Sequence, residues 1–66
     1  MNFGQAIDAV KAGNRVARAE WKANNAYMRA DNQALLWGSK DHREQGYHAI
    51  HADIFADDWN IVEAGK

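Results

Sequence analysis

The chain has 66 residues, a formal charge of −1, 26% charged side chains and no cysteine. That suffices for a single domain over residues 1–66, burying only about 60% of its unfolded surface. Mixed charge near neutrality argues against a nucleic-acid polymer as partner, which needs a strongly basic face, and no apolar run is long enough for a membrane span or a signal peptide. The absence of cysteine fits a reducing, cytoplasmic setting.

The opening MNFGQAIDAVKAGN predicts a capped helix. Asn2 and Gln5 are spaced to satisfy each other's backbone N–H groups, an amide form of the capping box. Phe3, Ala6, Ile7 and Val10 share one helical face, Lys11 sits in the last turn, and Gly13 suits a left-handed cap. Residues 15–19 follow as a short strand, with Val16 and Arg18 on one face and Arg15, Ala17 and Ala19 on the other. Residues 21–25 read as a loop.

Residues 26–37 predict a hairpin turning at Asp31-Asn32, which sets Met28 opposite Leu35, Tyr27 opposite Leu36 and Ala26 opposite Trp37. Both faces of that hairpin carry apolar groups, so a helix on one side and a partner on the other would cover it. The polar stretch GSKDHREQG, residues 38–46, reads as a surface loop or loose hairpin tip. Residues 47–50 suit extended chain, and His51 onwards a single helical turn burying Ile54 and Phe55. Residues 59–63 close the fold as a strand with Trp59 and Ile61 on one face. The resulting fold class is α+β: one N-terminal helix on a small, mostly antiparallel sheet of about four strands. Eighteen large apolar residues, seven of them aromatic, exceed what so small a core encloses, so self-association is expected.

Catalytic constellations are sparse. His48, His51 and Asp53 form a two-histidine, one-carboxylate set, but residues three apart in extended chain point to opposite sides, and surface histidines are the plainer reading. Asp57-Asp58 lacks the split environment that acid–base chemistry needs and better serves as a turn. Ser39 is the only serine, with no histidine arranged to activate it. No phosphate-binding glycine loop and no cofactor motif appears. What remains is a set of aromatics interleaved with arginines: Arg15, Arg18, Trp21, Tyr27, Arg29, Trp37, Arg43 and Tyr47. Aromatic faces stack on purines and guanidinium groups match phosphates, so this set suits a nucleotide pocket. It suits equally a structural role, with Trp37 and Trp59 in the core and the arginines solvated.

Two stretches carry a resemblance. MNFGQAIDAVKAGNRVARAEW, with Lys-x-Gly, Val-x-Arg and then Trp, resembles the start of a small phage and bacterial family long catalogued by domain alone. ADIFADDWNIVE resembles its second signature, an acidic turn leading to Asp-Trp and a final strand. The family is similar to phage anti-Thoeris proteins, which act as sponges: homotetramers that sequester cyclic ADP-ribose isomers made by TIR-domain enzymes, some relatives also holding cyclic dinucleotides. Two departures stand out. Lys22-Ala23-Asn24 follows Trp21 where the family has Asn-Gly-Lys, and Tyr47, Ile50 and His51 replace a Trp and a Ser-Gln pair. The resemblance implies a non-enzymatic sponge with a cyclic nucleotide signal and a second copy of itself, as homodimer or homotetramer, for partners. Its ligand-binding residues would be Arg18, Trp21, Asn24, Tyr47, His51 and Asp53. Trp21 or Tyr47 would stack on a base, Arg18 would take phosphate, and Asn24 and Asp53 would fix base edges or ribose hydroxyls. The alternatives are an interaction module covering a host protein and, more remotely, a metal-dependent hydrolase using His48, His51 and Asp53.

Overall fold

The computed structural model describes residues 1–63. Helix α1 (Phe3–Lys11) starts on the expected capping box, with Asn2 Oδ1 accepting the Gln5 N–H at 2.8 Å and Gln5 Oε1 accepting the Asn2 N–H at 2.9 Å. Two of the helix's orphan donors are thereby satisfied. It ends as Gly13 takes a left-handed φ of 101°, and it buries Ala6 and Val10 with Phe3 and Ile7 packed beside them.

Five antiparallel strands form one sheet in the order β4-β3-β2-β1-β5: β1 (Arg15–Arg18), β2 (Tyr27–Asp31), β3 (Ala34–Ser39), β4 (His42–Gly46) and β5 (Trp59–Glu63). The expected four strands are therefore five. The added one is β4, inside the stretch read as a surface loop or loose hairpin tip; it makes a hairpin with β3, and all five of its residues are exposed. Without a buried face it has no apolar alternation, so pattern alone could not mark it as a strand.

The β2–β3 hairpin forms, but its turn lies at Asn32-Gln33. Met28 pairs with Trp37, Ala30 with Leu35 and Asp31 with Ala34, a different register from the one expected. Asn32 takes the left-handed conformation (φ 57°) that Asn tolerates better than most residues, and this re-centres the turn. Each residue keeps its face, because the partner moves by two positions.

On one face, Val16, Met28 and Trp59 meet α1 in the core, with Ala30 and Leu35 at its margin. The opposite face carries Tyr27, Arg29 and Leu36 as expected, and its polar groups pair with one another. The Arg15 guanidinium lies 4.3 Å from the Tyr27 ring centroid, Tyr27 Oη donates to Glu44 at 2.7 Å, and Arg29 grips the same carboxylate, Nη2 to Oε1 at 2.7 Å. With Glu63 Oε1 3.8 Å from Arg15 Nε, two arginines face two carboxylates, which removes one motive for a covering partner. Large apolar side chains are exposed elsewhere, at Ile50, Ile54, Phe55, Ile61 and Val62.

Helix α2 (His51–Ile54) lies between β4 and β5 in the chain. The turn forms where expected, yet Ile54 and Phe55 point outward, Phe55 being 84% exposed, and the buried residue is Asp53. Three hydrogen bonds to Asp53, described below, outweigh the burial of two apolar side chains in choosing which face turns inward. The last strand forms as expected, with Trp59 fully buried.

Candidate functional site

A 3-10 helix, Ala19–Asn24, follows β1 in place of the expected loop. It ends at Asn25, which adopts a left-handed φ of 51°, and the Asn24 carbonyl accepts the Lys40 N–H at 3.1 Å, tying the helix to the β3–β4 turn. This geometry holds Trp21 against the sheet. Its ring centroid lies 5.1 Å from that of Trp59, 6.4 Å from Trp37 and 6.3 Å from Tyr47, all in edge-to-face orientation. Such pairs contribute about 0.5–1.5 kcal/mol each beyond area burial. Trp59 anchors the cluster in the core, while Trp21, Trp37 and Tyr47 are only half-buried and keep apolar surface available.

Beside them opens a cleft of about 300 Å³ lined by Trp21, Trp37, Gln45, Gly46, Tyr47 and His48. A concave site with aromatic walls and a few polar groups suits a planar, hydrogen-bonding ligand. No lysine, arginine or carboxylate lines it among the described residues.

Next to the cleft is a charged hub. Asp53, 5% exposed, accepts at Oδ1 from Arg18 Nη1 (3.1 Å) and at Oδ2 from Tyr47 Oη (2.8 Å), while its backbone carbonyl accepts from Trp59 Nε1 (3.0 Å). Arg18 Nε also donates to Asp58 at 3.0 Å, and Arg18 Nη1 lies 2.6 Å from Glu20. The bond to Asp58 leads the contacts that raise the Arg18 pKa above its usual value, and the Asp58 carboxyl is correspondingly lowered by Arg18. Burial, then the bond to Asp53, pushes the Tyr47 phenol well above the ordinary tyrosine range. Tyr47 is therefore a neutral donor at any physiological pH.

Of the expected ligand residues, Trp21 and Tyr47 meet in the cleft, whereas Arg18 and Asp53 meet each other in the hub. Asn24 is exposed at the end of the 3-10 helix, and His51 lines a separate hollow with Ala49, Ile50 and Ala52. Gln45 and His48 are additions. Gln45 belongs to β4, which no apolar alternation marks, and His48 stands out in the sequence only through its spacing to His51 and Asp53. Among the described residues no group of three or more His, Cys, Asp or Glu side chains is placed to hold a metal ion. Ser39 does have a histidine neighbour, contrary to expectation: its Oγ lies 3.2 Å from His42 Nδ1. The pair bridges an exposed turn, and no carboxylate is hydrogen-bonded to His42 among the described residues to orient it as a base.

The fold is a small α+β domain in which the 3-10 helix and the sheet bring half-buried aromatics around one cleft. The model of the Tad2-like family, the Thoeris anti-defense 2-like domain, matches residues 1–62, and the chain belongs to that family. An anti-Thoeris, anti-defence role follows at the level of the family. No curated protein matches the chain.

Proposed function

We propose that the protein is a non-enzymatic sponge that holds a cyclic nucleotide immune signal, of the cyclic ADP-ribose class, in the cleft between Trp21, Trp37 and Tyr47. The observation that carries this reading is the convergence of three half-buried rings on a cleft of purine size. Base–aromatic stacking contributes about 1–3 kcal/mol per base. Gln45 and His48 supply hydrogen-bonding groups at the rim, and the phosphates face the opening. Sequestration lowers the free signal by mass action, so stoichiometry matters more than turnover.

Self-association as a homodimer or homotetramer belongs to the same proposal. Its support is the exposure of five large apolar side chains, Ile50, Ile54, Phe55, Ile61 and Val62. That surface also favours the second reading, an inhibitor that covers a host protein.

The test loads the protein with cyclic ADP-ribose isomers, removes free ligand, denatures the complex by heat and chromatographs what is released. Intact ligand at no more than one per subunit, with tryptophan quenching on loading, supports the sponge. Linear or hydrolysed product in excess of subunits would establish an enzyme. No retention and no quenching would leave the host-protein inhibitor as the better account.

A further inference from the structure

Arg18 and Trp59 are direct cross-strand partners in the β1–β5 pairing, and between them they grip one residue of α2. Arg18 takes the Asp53 side chain, and the Trp59 indole takes the Asp53 carbonyl. The second carboxylate oxygen of Asp53 accepts from Tyr47, whose ring stands 6.3 Å from Trp21 as a wall of the cleft. We propose that Arg18 and Asp53 are positioning residues, which set the cleft through the Tyr47 hydroxyl and make no contact with the ligand. The inference rests on the reading of that cleft as the ligand site.

Charge and saturation both support it. Three carboxylates (Glu20, Asp53 and Asp58) surround one guanidinium, leaving two negative charges uncompensated. A phosphate brought to Arg18 would be a fourth anion at a site already over-neutralised, and neighbouring carboxylates would repel it. Asp53 in turn has both carboxylate oxygens engaged and is buried, so a ribose hydroxyl would have to break an existing bond to reach it. Removing Arg18 leaves the Asp53 carboxylate buried without its cation, a costly state that relaxes by swinging outward. That change alters what the Tyr47 hydroxyl binds, and the ring moves with it.

The experiment titrates adenosine and AMP into the wild type, Arg18→Gln, Tyr47→Phe and the double variant. The expected result in Arg18→Gln is a loss of about tenfold in adenosine binding, the scale of one charge-assisted hydrogen bond, with AMP losing at least as much because the site also gives up a positive charge. Adding Arg18→Gln to Tyr47→Phe should then cost less than about twofold, because both act through one path. A loss confined to AMP would show direct phosphate contact and overturn the inference, as would losses that multiply in the double variant. Should Arg18→Gln fail to fold, Arg18→Lys takes its place in the same cycle. Should wild type bind neither probe, the sponge reading loses its support, and the inference is decided without ligand by near-ultraviolet circular dichroism of the Trp21 cluster. Arg18→Lys and Tyr47→Phe should then lower the aromatic signal alike, with no further loss in the double variant; an unchanged spectrum in Arg18→Lys overturns it.

Discussion

Trp59→Phe tests how the core and the site are joined. The indole is completely buried, packs against Phe3 at a centroid distance of 5.6 Å and Trp21 at 5.1 Å, and donates to the Asp53 carbonyl. Phenylalanine keeps an aromatic ring but cannot donate, so a buried carbonyl loses its indole partner, at about 1–3 kcal/mol. The smaller ring forfeits about another 1 kcal/mol of packing. The expected destabilisation is therefore about 2–4 kcal/mol, large against the roughly 3–10 kcal/mol available to a chain this short. In a domain of this size each kcal/mol moves the midpoint by about 4–8 °C, so thermal unfolding should fall by at least about 8 °C. Urea unfolding at 15 °C supplies the free energy directly, and Lys22→Ala, exposed on the 3-10 helix, serves as the control with less than about 1 kcal/mol. A loss below about 1 kcal/mol in Trp59→Phe would mean that the indole bond to Asp53 is not what joins α2 to the sheet.

Three further outcomes are expected. Gly38→Ala builds a Cβ 2.8 Å from Tyr27 Oη and 3.0 Å from Glu44 Cγ, so it should cost about 1–3 kcal/mol in urea unfolding, and Gly38→Ala with Tyr27→Leu should recover part of that loss. Glu44 is lowered from 4.5 to about 2, by Arg29 first and Tyr27 second. The unfolded chain therefore binds this proton more tightly, so the stability Glu44 contributes is full above about pH 4.5 and lost as pH falls toward about 2; Glu44→Gln should be weaker at pH 7 and flatter through that window when melting is followed against pH. Phe55→Ser should leave the subunit's stability within about 0.5 kcal/mol, since the ring is 84% exposed, yet raise the monomer fraction in light scattering if the outward face of α2 joins copies; an unchanged mass removes Phe55 from that interface.

Local chemistry determined a good part of this protein before any folding. The reciprocal reach of Asn2 and Gln5, the 3.6-residue spacing of Phe3, Ala6, Ile7 and Val10, and the glycine at 13 define α1 from neighbours alone, and α1 formed as those residues demand. The motifs at the two ends likewise carried the family. Tertiary structure decided the rest, because the deciding interactions join residues far apart in sequence. β4 is a strand since β3 offers it an edge and Arg29 and Tyr27 hold its Glu44, although its own residues have no buried face. Asp53 turns inward, and Ile54 and Phe55 outward, because Arg18, Tyr47 and Trp59 saturate the carboxylate and carbonyl of one residue. Folding also brought Glu20 and Asp58 to Arg18 beside Asp53, and set Trp21 against both Trp37 and Tyr47 at the cleft. Residue type alone made Arg18 a candidate for phosphate; only the positions of Glu20, Asp53 and Asp58 determine the charge it finally faces, because charges act through space and not along the chain.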